Sequence, residues 1–281
     1  MIMKRLNLKT QRWTSLTLVA AWTVFLFAVT GCSTVPITGR SQLNLISEQQ
    51  EMQLGLSSFD QLKKQTPINH DPAVNNLVQR VGKRVAAVAG KDMPDAQWEF
   101  VVFESKEANA FCLPGGKVGV YTGILPITKD DAGLATVIGH EVGHAVAHHG
   151  AERMSEAILI QTGGELLGAS ISSADPRWQQ ITLLAYGAGT KLGRELPHSR
   201  AQESEADHIG LIYMARAGYD PQSAVDFWQR FAQYNQQHGG NNSALAGFLS
   251  THPLDQTRIQ QLQRWLPEAA RARRPAQSPA L

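Results

Sequence analysis

Cysteine is almost absent from this chain, because its 281 residues include only Cys32 and Cys112. A scaffold built on several disulfides is therefore excluded, and no internal disulfide can form if Cys32 is modified. Stability must come from a packed core and from any bound metal. Cys112 lies in an apolar segment without a nearby basic partner, so we expect a buried small hydrophobic residue rather than a nucleophile.

A surplus of charge is also lacking, since 26 basic residues face 24 acidic ones. Four of the basic residues lie at the amino terminus, namely Lys4, Arg5, Lys9 and Arg12. The remainder of the chain has no basic excess and no recognisable nucleic-acid motif. We therefore expect no nucleic-acid partner.

The amino terminus has the pattern of a secretory signal, with those basic residues followed by an apolar run over residues 13–29. The small residues before Cys32 are similar to a bacterial lipobox, which implies cleavage before Cys32 and acylation of that cysteine. An uncleaved membrane-spanning helix is the alternative. Ser33 stands where an aspartate would resemble an inner-membrane retention signal. The sequence thus predicts an outer-membrane lipoprotein that faces the periplasm.

Helix caps and hydrophobic periodicity divide the rest of the chain. Capping signals at residues 47 and 71 predict two helices, and residues 98–103, 108–113 and 117–122 read as strands. Apolar helical stretches follow, and the last predicted helix spans residues 257–266. The fold class is therefore α+β, mostly helical with a small sheet. The predicted regions are a signal peptide over 1–31, a tether over 32–46, one domain over 47–268 and a disordered tail over 269–281.

The most informative motif is His140-Glu141-Val142-Gly143-His144. Residues four apart on a helix are about 40° apart around the axis and roughly 6 Å apart along it, so both imidazoles can reach one metal ion. Glu141 lies beside the metal, where it can take a proton from a water molecule whose pKa zinc lowers to about 7. The spacing is that of a zinc hydrolase. We expect the helix to start near Lys129, with a capping box from Thr128, and to continue to about Gly150.

A hydrolytic zinc site also needs a third protein ligand and an open fourth position. Glu203 is the best candidate, because Glu203 and Asp207 are four residues apart and share one helix face. One carboxylate can bind the metal while the other orients a ligand histidine through its free ring nitrogen. Glu205 is expected to point away from this face. Without the upstream motif, a solvated acidic helix face would be the more common interpretation.

With these two motifs, the chain resembles the HtpX-like family of membrane-associated zinc metallopeptidases (metallopeptidase family forty-eight), in its periplasmic lipoprotein branch. Further matching segments are residues 109–111, 114–116, 147–153, 196–200, 219–221 and 251–253. The resemblance implies a gluzincin-type site with one Zn²⁺ per chain, bound by His140, His144 and Glu203. It also implies that Glu141 is the catalytic base and that Asp207 orients a ligand or donates a proton.

Other histidines and two departures from the family pattern need separate interpretation. Relatives usually carry a small residue at the position of Cys112 and tyrosine at the position of His198, which we consider as an oxyanion donor. No glycine or proline provides a turn between His144 and His149, so we expect His148 and His149 to be non-ligands, with a structural hydrogen bond for His149. His252 follows a glycine loop. We hypothesise that it can occupy the open zinc position and keep the site idle; a helix-capping turn is the alternative.

The small sheet suggests how a peptide substrate would bind. An edge strand beside the cleft can hold an extended peptide through main-chain hydrogen bonds. The candidate edge is Asn109, Ala110 and Phe111, continuing to Leu113, and a plain structural hairpin is the alternative interpretation.

The family resemblance implies a zinc-dependent endopeptidase. It would act on misfolded or stalled cell-envelope proteins in outer-membrane quality control, anchored to the outer membrane through lipidated Cys32. Its partners would be unfolded or misassembled envelope proteins. The alternative is a chaperone-like periplasmic holdase whose zinc is mainly structural or latched. The presence of Glu141 favours the peptidase, because a structural zinc site needs no general base.

Overall fold

The computed structural model describes residues 32–162, 175–185, 200–238, 248–249, 252 and 256–273. The predicted signal peptide and His198 lie outside the described residues, as do parts of the two apolar stretches. Within the described residues the helices are α1 (Glu48–Gln65), α2 (Pro72–Ala89), α3 (Leu125–Thr128), α4 (Asp131–Val146), α5 (His149–Thr162), α6 (Pro176–Ala185), α7 (Arg200–Arg216), α8 (Gln222–His238) and α9 (Gln256–Ala272).

The sheet lies between α2 and α3 in the sequence and has three strands, β3 (Glu99–Phe103), β4 (Ala110–Leu113) and β5 (Lys117–Tyr121). Its order is β3-β5-β4, with β3 parallel and β4 antiparallel to the central β5. A separate two-stranded hairpin of β1 (Cys32–Thr34) and β2 (Ser41–Leu43) precedes α1. The prediction of a mostly helical α+β fold with a small sheet is confirmed.

The first two helices begin where the sequence predicts. Ser47 and Gln50 form a reciprocal capping box at α1, and the Asp71 carboxylate accepts a hydrogen bond from the Ala73 N–H at α2. Pro72 occupies the first position of α2, where its missing N–H costs no hydrogen bond. Local side-chain chemistry thus fixes both helix starts.

The predicted cap of the metal-motif helix is wrong. The Asp130 carboxylate, rather than Thr128, caps α4 by accepting a hydrogen bond from the Gly133 N–H at 2.8 Å. The Thr128 hydroxyl donates instead to a carbonyl within α3. Lys129 has a φ of 70° and separates the two helices, so the predicted start near Lys129 moves to Asp131.

The same helix also ends earlier than predicted. The sequence predicts a helix to about Gly150, whereas α4 stops at Val146 and α5 starts at His149. His148 has a φ of 51°, in the left-handed region that histidine tolerates better than most residues. Its Nδ1 lies 2.7 Å from the buried carboxylate of Glu51 on α1. This contact holds the turn without glycine or proline.

Two regional predictions also need correction. Residues 32–46 are predicted as a tether, but β1 and β2 form an ordered hairpin in which Val35 is buried and Arg40 is paired with carboxylates of α5 and α7. The predicted disorder from residue 269 is wrong as far as Ala272, because α9 continues that far and buries Ala269. Residues 274–281 lie outside the described residues.

Helix α4 forms the centre of the core and is buried from Gly133 through Val146. It packs against β4 and against α2, α7 and α8. Within the described residues, none of the helices combines the length and apolar character that crossing a bilayer would require. The metal motif therefore lies inside the domain, on an element covered on several sides.

Glycine residues let the backbones of α4 and α7 touch. A Cβ atom built on Gly210 would lie 2.7 Å from both the Gly139 carbonyl carbon and the His140 nitrogen. A Cβ atom on Gly143 would lie 2.8 Å from the Ala206 oxygen. These separations leave no room for a side chain, so the two helices cross at backbone contact and their polar residues face each other.

We expect Gly210→Ala to destabilise the protein by about 1–3 kcal/mol, because backbone atoms rather than flexible side chains would have to move. Gly90→Ala is the matched control, since its Cβ would meet nothing closer than 3.4 Å and the φ of Gly90 is −61°. Urea unfolding of the zinc-free proteins provides the measurement. Equal unfolding free energies for Gly210→Ala and the unsubstituted protein would contradict the close crossing.

Candidate metal centre

Four potential ligand residues from three segments meet beside the α4–α7 crossing. His140 and His144 come from α4, Glu203 from α7, and His252 from a residue that precedes α9. One ligand atom from each lies within 4.8 Å of the other three, and all four residues are buried. The three ligands implied by the resemblance, and the hypothesised fourth ligand, therefore occupy one site.

The distances in this cluster suit a small tetrahedral cation. The Nε2 atoms of His140 and His144 are 3.1 Å apart, and they lie 3.4 Å and 3.2 Å from the Glu203 carboxylate oxygens. His252 Nδ1 lies 3.2 Å from His140 Nε2 and 3.1 Å from Glu203 Oε1. Ligands at about 2.0–2.1 Å from a tetrahedral zinc are separated by roughly 3.3 Å, so the donor set fits zinc.

The charge of the cluster also suits a divalent cation. The cluster contains three buried carboxylates, those of Glu141, Glu203 and Asp207, and one buried guanidinium, that of Arg258, which pairs with Glu203 and Asp207. With neutral histidines, these groups carry a formal charge of minus two among the described residues. Buried charges need compensation. A Zn²⁺ ion would make the cluster neutral.

The Asp207 carboxylate lies beside His140, the first candidate ligand. His140 Nδ1 lies 2.9 Å from Asp207 Oδ1, so the opposite ring nitrogen, Nε2, points towards the other ligand atoms. Asp207 in turn accepts two hydrogen bonds from Arg258, at 2.7 and 2.8 Å. Arg258 Nη1 also lies 2.8 Å from Glu203, and its guanidinium lies over the Trp228 ring. One arginine thus fixes both carboxylates of the Glu-x-x-x-Asp pair.

Burial and the charges of neighbouring residues together determine the pKa values of these groups. Burial opposes the charged form of His140, but Asp207 and Glu203 more than offset it and raise the pKa of His140 to about 10. Burial also opposes ionisation of Glu203, yet His252, Arg258 and His140 hold the pKa of this carboxyl well below its usual range. Burial lowers the pKa of His144 well below its usual value.

Glu141 has the position and basicity of a general base. Burial raises the pKa of this carboxyl group, which makes its ionised form a better proton acceptor. Its Oε1 atom is buried without a hydrogen-bond partner among the described residues and lies 3.4 Å from His252 Nε2. The carboxylate therefore faces the ligand cluster from outside it, as the motif predicts.

The second candidate ligand, His144, contacts another histidine. His149 Nδ1 lies 2.8 Å from His144 Nδ1, and His149 Nε2 lies 2.9 Å from Glu205 Oε2. The left-handed turn at His148 brings His149 back to this position. Neither His148 nor His149 belongs to the ligand cluster. Glu205 is outside it too, as expected of a residue that points away from the Glu203–Asp207 face, and its carboxylate is buried and paired with His149 and Arg40.

The candidate substrate strand borders the site. β4 is an edge strand of the sheet, and the Asn109 carbonyl accepts a hydrogen bond from the Tyr121 N–H. Because antiparallel pairing alternates, the main-chain groups of Ala110 and Cys112 face the other edge. The Ala110 and Cys112 side chains pack in the core that contains α4, whereas Phe111 packs in a second cluster with Phe59.

The two cysteines have different environments and different expected roles. Cys112 is a free, buried thiol, and burial together with the nearby Glu141 charge raises its pKa, so the expected inert hydrophobic role fits. Cys32 lies in β1, opposite Leu43. Its lipidation stays a prediction.

Arg258 is not identified from the sequence, and the role of His149 is predicted only in part. Arg258 lies on the buried face of α9 with Leu262 and Ala269, where periodicity calls for an apolar residue. An arginine at such a position signals a buried carboxylate partner. His149 was recognised only as a structural hydrogen-bonding residue, because its partners depend on the unpredicted turn at His148.

Comparison with known proteins identifies a family match. The sequence model of Peptidase family M48 matches residues 72–266 of this chain. That range contains the described ligand residues, Glu141 and Arg258. The site residues therefore lie within the matched domain.

Several curated proteins are similar along most of the chain. Mitochondrial metalloendopeptidase OMA1 of Schizosaccharomyces pombe is 37% identical over 263 residues, which cover 92% of this chain and 73% of the relative. Its Saccharomyces cerevisiae counterpart is 32% identical over 87% of this chain and 72% of the relative. The Beta-barrel assembly-enhancing protease of Escherichia coli K12 is 28% identical over 86% of this chain and 50% of the relative.

These relatives correct the predicted location. The sequence predicts an outer-membrane lipoprotein that faces the periplasm, but the relatives of higher identity are named mitochondrial proteins. The outer-membrane prediction is therefore wrong. A basic amino terminus without acidic residues is common to several kinds of targeting segment, so these features do not specify one membrane.

We expect zinc binding to release about one proton at neutral pH. Zinc-free His140 is protonated there because its pKa is about 10, whereas a histidine ligand must be neutral. Zinc affinity should therefore rise by about tenfold per pH unit between about pH 7 and about pH 9, and fall on acidification. Calorimetric titration in buffers of different ionisation enthalpy measures the released proton. A pH-independent affinity over this range would contradict the protonated His140.

Proposed function

This chain belongs to Peptidase family M48 and is a zinc metalloendopeptidase, and from that premise we propose that it cleaves misfolded or stalled proteins of the cell envelope. The observation that carries the proposal is the buried His-His-Glu cluster with an additional carboxylate, Glu141, held beside it. A purely structural zinc site would not need that carboxylate. The name of the E. coli relative, a protease linked to β-barrel assembly, supports the substrate class.

The residues of the site have different roles in the hydrolysis of the peptide bond. His140, His144 and Glu203 would hold the zinc, which when bound would supply Lewis acidity to the scissile carbonyl and to water. Glu141 removes a proton from the attacking water and then delivers it to the leaving amine, which breaks the peptide bond. Asp207 keeps the His140 ring in the orientation that points Nε2 at the metal position.

Substrate would bind as an extended segment along β4. The main-chain groups of Cys112 and the Ala110 carbonyl face the edge away from β5, whereas the Ala110 N–H donates to Asn109 Oδ1 at 2.9 Å. Cys112 is close enough to Glu141 for the carboxylate to influence its pKa. A peptide added to this edge would make main-chain hydrogen bonds that do not depend on its sequence. Such recognition suits unfolded substrates, because a folded protein rarely offers an unpaired extended segment.

We expect Glu141→Gln to lower the rate of cleavage by about 10²–10⁴-fold while about one zinc per chain stays bound, because the amide cannot accept the proton. The test measures bound zinc and the cleavage of two substrates, casein and one β-barrel protein. The β-barrel protein is supplied once in its unfolded form and once in its folded form. Cleavage of only the unfolded form supports the quality-control role. Equal cleavage of the folded form would contradict that role, and undiminished cleavage by Glu141→Gln would exclude Glu141 as the base.

A second proposal is that His252 latches the site. With His252 Nδ1 as a fourth ligand beside His140, His144 and Glu203, the site would offer zinc four protein donors and would leave no position for water. The His252 ring rests against Phe248, and the main-chain N–H of His252 donates to the Phe248 carbonyl at 2.7 Å. Activation would then require this segment to move. The four-donor arrangement is also what a holdase with latched zinc would contain.

We expect His252→Ala to raise the peptidase rate several-fold, because the fourth position opens to water. His208→Ala is the matched control, since His208 lies on the same helix as Glu203 but pairs with Glu268 near the surface. Both variants are compared with the unsubstituted protein for casein cleavage and bound zinc. Lower or unchanged cleavage with full zinc occupancy would contradict the latch, and absence of cleavage in every variant would favour the holdase.

A further inference from the structure

The amino-terminal hairpin makes charged contacts with two helices near the metal centre. Arg40 follows the turn between β1 and β2. Its Nε lies 2.7 Å from Glu205 Oε2 on α7, and its Nη1 and Nη2 lie 2.6 and 2.9 Å from the Glu152 carboxylate on α5. The Thr38 hydroxyl donates a hydrogen bond to Glu205 Oε1. Both oxygens of Glu205 are therefore bound by groups from the hairpin.

The Glu205 carboxylate is connected through His149 to the candidate metal ligand His144. Glu205 Oε2 lies 2.9 Å from His149 Nε2, and His149 Nδ1 lies 2.8 Å from His144 Nδ1. His149 is completely buried, and Glu205 is 8% exposed. A continuous series of hydrogen bonds thus connects Arg40 to His144 through two buried side chains.

The direction of each hydrogen bond follows from the ends of the series. His144 Nε2 faces Glu203 and the other ligand atoms, so its lone pair must be free for a metal and the ring proton must be on Nδ1. That proton is donated to His149 Nδ1. The remaining proton of His149 is then on Nε2 and is donated to the Glu205 carboxylate, which also accepts from Arg40. Each ring N–H of His144 and His149 then has one acceptor. With Nε2 of His144 free for a metal, only this placement of the ring protons gives every hydrogen bond between His144 and Glu205 a donor and an acceptor.

We propose that Arg40, Glu205 and His149 are positioning residues for the metal ligand His144, so that the hairpin of residues 32–43 is part of the metal centre. Arg40 neutralises Glu205 and fixes its orientation. Glu205 then selects the proton position of His149, and His149 fixes the His144 ring. The series parallels the one from Arg258 through Asp207 to His140, with an additional imidazole between carboxylate and ligand.

Arg40→Gln should weaken zinc binding by about tenfold, as expected when a group that orients a metal ligand is lost. Arg80→Gln is the matched control, because Arg80 makes a similar two-bond pair with Asp131 on α4 but contacts no ligand. Zinc dissociation constants are measured by chelator competition. The visible spectrum of the Co²⁺-substituted protein reports the ligand geometry independently of peptidase activity.

A double-mutant cycle distinguishes positioning from general loosening of the fold. Asparagine at position 149 can still accept the hydrogen bond from His144 but cannot reach Glu205. In the His149→Asn protein, Arg40→Gln should therefore cause no further loss of zinc affinity. The proposal is overturned if Arg40→Gln leaves zinc affinity within twofold of the unsubstituted protein, or if its loss is the same with and without His149.

Folding is checked by the unfolding of the zinc-free proteins. If Arg40→Gln does not fold, Arg40→Lys replaces it, because a lysine can pair with one carboxylate but not with both in this geometry. Arg40→Lys is expected to give an intermediate zinc dissociation constant and an altered Co²⁺ spectrum. An unchanged constant and spectrum for Arg40→Lys would also contradict the proposal.

Discussion

Backbone contact between α4 and α7 determines where the groups of the metal centre lie. Gly139, Gly143 and Gly210 remove the side chains that would separate the two helices. The histidines of one helix can then reach the carboxylates of the other at about the separation of tetrahedral ligands. Bulkier residues at the crossing would move the two ligand pairs apart, and no adjustment of side-chain rotamers could restore the distances.

The close crossing has an electrostatic consequence, because it concentrates carboxylates where water is excluded. Arg258 compensates part of that charge and fixes Glu203 and Asp207 at the same time. Zinc compensates the rest, which couples the stability of the fold to metal occupancy. On the other side of the α4 motif, Arg40 and Glu205 support His144 through His149. Each α4 ligand is thus held by a series that ends in an arginine.

The family match and this geometry agree on a peptidase. A carboxylate held beside a zinc cluster, outside its ligands, is the arrangement that proton transfer to a leaving amine requires. In the proposed function, the edge strand next to Glu141, whose residues are buried, would bind the extended chain once that edge is opened to substrate. Substrate choice by main-chain hydrogen bonds would depend on the conformation of the substrate more than on its sequence, which is the selectivity that protein quality control needs.

Much of the fold and of the candidate site is predictable from the sequence, because it depends on interactions between residues close together in the chain. The four-residue spacings in His140–His144 and Glu203–Asp207 place their side chains on helix faces whatever the rest of the fold, and the caps of α1 and α2 depend on adjacent residues. The roles of Arg258, Arg40 and His149 depend on contacts between residues far apart in the chain. The turn at His148 depends on a partner from α1, Glu51, so no local pattern reveals it.

X-ray absorption at the zinc edge of the resting, unsubstituted protein tests the account most directly. It reports the number and type of ligand atoms without reference to substrate or activity. The account predicts about one zinc per chain, with three imidazole nitrogens and one carboxylate oxygen at about 2.0–2.1 Å. Fewer than two imidazoles, or no carboxylate, would contradict the account, whereas two imidazoles, a carboxylate and a solvent oxygen would contradict only the latch by His252.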